Sequence, residues 1–128
     1  MNAILLDAHA LLWWLDNDRR LSTGAHKAIQ EPTTQVLVSA GSLWEIAIKH
    51  RLGKLKAPRV VDDFQRELDA EGFVELPISA KHAVRAASLP TNHKDPFDRL
   101  LIAQAEIEGV PIVSRYTKFD DYGVRRIW

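Results

Sequence analysis

The chain has 128 residues, with 17 Lys and Arg against 17 Asp and Glu and no cysteine. This length fits one domain over residues 1–128, and a content of 46% hydrophobic and 27% charged residues is typical of a globular protein with a substantial core. The lack of cysteine excludes disulfides, thiol nucleophiles and thiolate zinc sites. Because the charges balance, any nucleic-acid contact must depend on a local cluster of cations.

Neither export nor a membrane span is predicted. The apolar N-terminal segment lacks a basic start and contains Asp7 and His9, unlike a signal peptide. No apolar stretch approaches the ~20 residues that cross a bilayer, so we expect a cytoplasmic protein. No two of the five histidines stand four residues apart, so any metal would prefer oxygen ligands.

The first third of the chain predicts one strand and two helices. Residues 3–6 form a short apolar run that Asp7 stops, which is typical of a buried strand. Helices are predicted at residues 8–15 and 22–31, and Pro32 ends the second one. A carboxylate therefore stands where the first strand ends and the first helix begins.

The middle of the chain repeats this order. Residues 35–39 predict a second buried strand, followed by a helix at 42–52 that Gly53 ends. Residues 60–71 are amphipathic with a helical period, which predicts a single helix ending at Gly72.

The remaining elements continue the alternation of strand and helix, with strands at 73–76, 110–113 and 126–128, helices at 79–88 and 95–108, and a short turn or helix at 116–122. The helix at 95–108 has the strongest start signal, with Asp95 as N-cap, Pro96 next and Asp98 in the first turn. Such alternation predicts a three-layer α/β/α domain with a mostly parallel central sheet. Ligands of such sheets bind outside the carboxyl ends of the strands.

Three carboxylates from distant segments are candidates for one site at that edge. Asp7 follows the first strand, although an N-cap role alone would also explain it. Glu45 interrupts the apolar run LWEIAI, and burying a carboxylate costs several kcal/mol unless something compensates it. Asp98 and Asp95 suit a helix N-terminus for capping reasons as well. If Asp7, Glu45 and Asp98 converge, their repulsion favours a Mg²⁺ or Mn²⁺ ion.

A cationic stretch at residues 49–59 is the candidate contact for nucleic acid, with a solvated surface as the alternative. Its members that we single out are Lys49, Arg51, Lys54 and Lys56. A second candidate surface is the run Leu11-Leu12-Trp13-Trp14-Leu15, whose side chains point all round a helix. We expect some of them to stay exposed for a partner helix or a second copy, the alternative being a helix covered on all sides.

The blocks LLDAHALLWWL, VSAGSLWEIAIKHRLGKL, HKDPFDRLLIAQA and VPIVSRYTKFDDYGVRRIW resemble, in order and spacing, the PIN-domain family, specifically its VapC toxin ribonucleases. The resemblance covers the whole chain. It implies a Mg²⁺- or Mn²⁺-dependent endoribonuclease that forms homodimers and is neutralised by a cognate VapB-like antitoxin. The acids that match the family motifs are Asp7, Glu45 and Asp98. Asp95 is a further candidate metal ligand.

Two positions depart from the family pattern. Ala8 stands where the family commonly has Ser or Thr, and Tyr116 replaces the fourth acid after the last buried strand. A phenol is a poorer magnesium ligand than a carboxylate, so metal binding should weaken unless Asp120 or Asp121 substitutes.

The sequence therefore predicts an RNA-hydrolysing toxin whose catalytic metal is held by Asp7, Glu45 and Asp98. Arg99 and Arg115 are candidate phosphate clamps, with surface ion pairing as the alternative. Further accessory candidates follow the strands, namely Ser39, Ser42, Tyr116 and Asp120. A rival hypothesis is an impaired PIN domain that binds RNA or an antitoxin, and a third is a phosphoacceptor domain. A phosphoacceptor domain would need paired acids after the first strand and a lysine after a late strand, and this sequence has neither.

Overall fold

A computed structural model of the chain describes residues 2–90 and 93–128. The sheet has five parallel strands in the order β3-β2-β1-β4-β5, which are β1 (Asn2–Leu6), β2 (Thr34–Ser39), β3 (Val74–Leu76), β4 (Ile112–Val113) and β5 (Arg126–Ile127). The helices are α1 (Ala8–Leu15), α2 (Thr23–Gln30), α3 (Ala40–Arg51), α4 (Pro58–Asp62), α5 (Phe64–Glu71), α6 (Ala80–Ser88), α7 (Pro96–Glu108) and a 3₁₀ helix at Thr117–Tyr122. The predicted α/β/α architecture is confirmed.

Two apolar layers cover the two faces of the sheet. Successive residues of a strand point to opposite faces, so Ile4 and Leu6 join the cluster that contains α1 and α2, whereas Leu5 joins the cluster around α7. All three side chains are buried. This burial on both faces is why β1 is an uninterrupted apolar run, and Asp7 is its first polar neighbour.

The expected exposed surface on α1 is wrong. Leu11 and Trp13 are buried, and Leu12, Trp14 and Leu15 are half-buried and pack against the same apolar cluster. The Trp14 indole Nε1 also donates to Glu71 Oε1 at 2.7 Å. Neighbouring elements cover the short helix on all sides, which its sequence could not show.

The single helix predicted at residues 60–71 is two helices. The chain breaks at Asp63, whose φ of −155° and ψ of 77° lie outside the helical region, and the Asp63 carboxylate accepts a hydrogen bond from the backbone N–H of Arg66. Asp63 thereby caps α5. The apolar pattern runs through both helices, so periodicity alone does not locate the break. Strand β4 is likewise shorter than the predicted 110–113.

The order of the strands places the topological switch point of the sheet at β1. The chain leaves β1 for β2 and β3 on one side and returns to β4 and β5 on the other. The carboxyl ends of β1 and β4 therefore flank the topological switch point, where ligands of such sheets bind. Asp7 and Ser114 are the residues that follow these two strands, and both are buried. Within residues 2–90 and 93–128, none of the helices is long and apolar enough to cross a membrane.

Candidate active site

Asp7 is the buried acid of the site. Only 6% of its surface is exposed, and it caps α1 by accepting the backbone N–H of Ala10 at 2.8 Å. Burial raises the pKa of its carboxyl to about 6. Hydrogen bonds from the Ser114 hydroxyl and Ala10 oppose this shift, whereas the charges of Asp98 and Glu45 add to it. Asp7 therefore caps α1 and also feels the charges of two other acids.

Glu45 lies on α3, which begins at the end of β2. Its side chain is 14% exposed, and Oε2 accepts a hydrogen bond from Lys49 Nζ at 2.7 Å. This bond raises the pKa of Lys49, and the charges of Asp95 and Asp98 act in the same direction. Lys49 therefore faces acids from two separate segments.

Asp98 lies in the first turn of α7, where the helix dipole favours negative charge. Its Oδ2 lies 2.6 Å from Lys118 Nζ and 2.9 Å from His93 Nε2. Burial lowers the pKa of Lys118, but the bond to Asp98 and the charges of Asp98 and Asp95 outweigh it and leave the pKa raised. Asp95 caps α7, accepting the backbone N–H groups of Phe97 and Asp98.

These acids interact electrostatically across one edge of the sheet, and two lysines compensate them. The pKa of Asp7 responds to both Glu45 and Asp98, although these residues are far apart in sequence. Lys49 and Lys118 bind the other two carboxylates. The site is thus a network of buried and half-buried charges rather than an isolated acid.

The donor set suits a hard divalent cation, because carboxylate oxygens are the ligands that Mg²⁺ and Mn²⁺ prefer. Across residues 2–90 and 93–128, no three His, Asp or Glu side chains already lie close enough together to hold an ion. Glu45 and Asp98 instead accept bonds from lysine ammonium groups. The residues fit a cation in chemistry, and the lysine bonds occupy only Oε2 of Glu45 and Oδ2 of Asp98.

Tyr116 lies beside this network. Its hydroxyl is 3.1 Å from His9 Nδ1, and its backbone N–H donates to Ser114 Oγ at 3.0 Å. Burial lowers the pKa of His9, and the charges of Lys49, Arg20 and Lys118 act in the same direction. The Tyr116 hydroxyl is therefore bonded to a half-buried imidazole.

Two accessory candidates have other partners. The Arg99 guanidinium donates to four backbone carbonyls, those of Ala86, Ala87, Leu89 and His93, at 2.9 to 3.2 Å. Asp120 is bonded to Arg126 at 3.0 and 3.3 Å. Arg99 thus ties the end of α6 to α7, and Asp120 lies outside the acid network.

The remaining accessory candidates lie at the same edge of the sheet. Ser39 and Ser42 are buried at the start of α3, where Ser39 Oγ accepts the backbone N–H of Gly41. The predicted cationic stretch divides, because Lys49 joins the acids while Arg51, Lys54 and Lys56 are exposed. Asp121 is exposed as well.

Two partners of Asp98, Lys118 and His93, were not predicted from the sequence. Nothing local distinguishes Lys118 from other surface lysines, since its contact depends on how the segment after β4 folds over α7. The Glu45–Lys49 pair was detectable, because residues four apart are neighbours on one helix face.

Comparison with known proteins adds independent support. The family model described as "PIN domain" matches residues 4–124. Ribonuclease VapC22 of Mycobacterium tuberculosis is 32% identical over 116 residues, which cover 90% of this chain and 88% of that protein.

Two solved structures share the fold. The DNA-bound VapBC structure from Salmonella typhimurium superposes with a TM-score of 0.72 at 15% identity, covering 98% of this chain and 97% of the other. VapC20 of Mycobacterium tuberculosis, a sarcin-ricin loop cleaving toxin, superposes with a TM-score of 0.68 at 15% identity, covering 94% of this chain and 95% of the other. Since the family model spans residues 4–124 and the ribonuclease relative is 32% identical over 90% of the chain, this chain belongs to the PIN-domain family.

Proposed function

We propose that this protein is a divalent-metal-dependent endoribonuclease that acts as the toxin of a toxin–antitoxin pair. The observation that supports the proposal is a buried Asp7 at the switch point of the sheet, whose pKa is raised by burial and further by the charges of Asp98 and Glu45. The ribonuclease relative covers nine-tenths of the chain, and the structural neighbours are VapC or VapBC proteins.

In this proposal Asp7, Glu45 and Asp98 hold Mg²⁺ or Mn²⁺, and Asp95 is a further candidate ligand. A bound ion of this kind supplies a nucleophilic water and neutralises charge on phosphate oxygens. Asp7 is oriented for this role by the Ser114 hydroxyl and the Ala10 N–H.

The lysines of the network have a complementary role. Lys49 and Lys118 neutralise the acids while no cation is bound. With a cation bound, the ammonium groups of Lys49 and Lys118 would lie beside it, where they could bind the phosphate oxygens of RNA.

Cleavage of a structured RNA with Mg²⁺, with Mn²⁺ and with EDTA tests this function. We expect cleavage with either ion and none with EDTA. Glu45→Gln and Asp98→Asn should each slow cleavage roughly a hundredfold, comparable to losing one preorganised electrostatic contact. Asp62→Asn is the matched control, since Asp62 is exposed on α4. Cleavage that persists in EDTA, or that both variants leave unchanged, would overturn the assignment.

A VapB-like antitoxin and a second copy of the chain are the proposed protein partners, in the cytoplasm where the RNA substrate lies. The VapBC neighbour supports the antitoxin. For the second copy, the supporting feature is Trp44, which exposes 60% of its surface and packs edge-on against Phe97. Exposed aromatic patches of this kind favour protein contacts.

A catalytically impaired, binding-only PIN domain is the second candidate, favoured by Tyr116 at the position of the fourth acid. If it holds, Tyr116→Asp should increase both Mn²⁺ affinity and cleavage rate at least about tenfold, because a fourth carboxylate adds charge and an oxygen ligand. Calorimetric titration with Mn²⁺ and the RNA assay measure the two effects. Full cleavage by the wild type, with no gain in the variant, would exclude this candidate.

A further inference from the structure

A cluster of rings and arginines adjoins the acid network, and we name it the Tyr116 patch. Its members are His9, Trp13, Arg20, Arg115 and Tyr116. The ring centres of His9 and Tyr116 are 5.5 Å apart, and those of His9 and Trp13 are 5.3 Å apart. The guanidinium carbons of Arg20 and Arg115 lie 5.0 and 5.9 Å from the Trp13 ring centre. Trp13 is buried beneath the other members.

Two members of the patch are accessible to a ligand. Tyr116 exposes 36% of its surface. Arg115 is exposed, and in the part of the chain that the structure describes its guanidinium contacts the Trp13 ring but makes no ion pair. Arg20 differs, because Asp18 holds its guanidinium at 2.8 and 3.1 Å. A base and a phosphate can therefore reach Tyr116 and Arg115.

The patch touches the acid network at two points. Lys118 Nζ lies 4.9 Å from the Tyr116 ring centre and 2.6 Å from Asp98 Oδ2, so one ammonium group contacts both. The Ser114 hydroxyl accepts a hydrogen bond from the backbone N–H of Tyr116 and donates one to the Asp7 carboxylate. A nucleotide on the patch would thus neighbour the phosphate at the acids.

We infer that the Tyr116 patch binds an unpaired nucleotide of RNA next to the scissile phosphate, with Tyr116 stacking on the base and Arg115 binding a phosphate. This inference rests on the proposed ribonuclease function and names where its substrate lies. Aromatic rings and arginines are the side chains that hold splayed bases of single-stranded RNA. Bases within a duplex are stacked on each other, so the patch selects single strands and loops.

Binding of a fluorescein-labelled single-stranded RNA oligonucleotide, measured by anisotropy in EDTA, tests the inference without cleavage. Tyr116→Leu should raise Kd about tenfold, the effect of losing one stacked base, whereas Tyr116→Phe keeps the ring and should stay within about twofold of the wild type. Arg115→Gln should weaken binding and reduce the salt dependence by about one phosphate contact. Arg125→Gln, at the opposite edge of the sheet, is the matched control and should bind as the wild type does.

The outcomes separate this inference from the proposed function. Wild-type cleavage together with unchanged single-strand Kd in Tyr116→Leu and Arg115→Gln would overturn the patch and leave the ribonuclease assignment intact. Equal losses on a duplex of the same sequence would overturn the stacking role. Failure of the wild type to bind or cut any RNA would overturn the proposed function, and the patch with it.

Discussion

Replacing Asp7 by Asn should abolish RNA cleavage and, in the same variant, make the metal-free protein more stable. The carboxylate is buried, and its raised pKa of about 6 shows that the ionised form is disfavoured in the folded state. Since each pKa unit corresponds to about 1.4 kcal/mol, ionisation at pH 7 costs roughly 2 to 3 kcal/mol. Asn removes this cost and remains a good N-cap for α1. Because Asp7 is the most buried of the three proposed metal ligands, its loss should slow cleavage roughly a thousandfold, against roughly a hundredfold for Glu45 or Asp98.

The stability gain of Asp7→Asn should depend on pH in a defined direction. The folded-state pKa of Asp7 lies above the ordinary value of 3.8, so between 3.8 and about 6 the folded protein binds more protons than the unfolded chain. The contribution of Asp7 to stability therefore falls as pH rises through this window and is constant above it. The advantage of the variant should be absent below the window and fully developed at pH 7.

Urea unfolding of both proteins in EDTA, at several pH values from 4 to 7, measures the effect. Asp62→Asn serves as the control again and should match the wild type at every pH. An Asp7→Asn variant that is no more stable than the wild type at pH 7 would contradict the proposed burial cost, whatever its activity.

Arg99→Met should destabilise the protein by about 3 kcal/mol, because four carbonyl groups lose a charged donor. Three of those carbonyls belong to the end of α6 and the residue after it, and the fourth is His93. Methionine preserves the apolar stem but provides no donor. Urea unfolding gives the size of the effect. Arg99→Lys should recover only part of the loss, since an ammonium group cannot span the positions that the planar guanidinium reaches.

RNA binding distinguishes this structural role from that of a phosphate clamp. Measured in EDTA at a temperature where the variant is folded, the Kd of Arg99→Met should stay close to that of the wild type. Arg66→Met, at an exposed position on α5 and outside the cationic stretch, is the control for removing a surface arginine. If Arg99→Met leaves stability unchanged and weakens RNA binding, Arg99 contacts phosphate and the structural role is contradicted.

Some features of the site follow from short sequence separations. Asp7 and Asp95 cap the helices that follow them because a carboxylate reaches N–H groups two or three residues ahead. The apolar run of β1 predicted a buried strand, and its end predicted an acid at the sheet edge. Such interactions depend on spacing alone, so the sequence shows them directly.

Other features depend on contacts that no local pattern encodes. The break at Asp63 falls inside an unbroken apolar period, and α1 is covered on all sides although its own residues suggested an exposed face. The ion pair of Lys118 with Asp98 joins segments 20 residues apart in number, and Tyr116 meets His9 across 107 residues. These contacts depend on the pairing of β4 with β1 in the sheet.

The residues themselves determined the layered α/β architecture, the helix starts and the acids at the carboxyl ends of the strands, because each depends on periodicity or on a hydrogen bond to a nearby backbone group. Only the tertiary structure decided that Lys118 compensates Asp98, that Arg99 binds backbone carbonyls, and that Tyr116 lies beside His9. The order of strands in the sheet brings these distant residues into contact. That order follows from packing the whole chain, and no single segment specifies it.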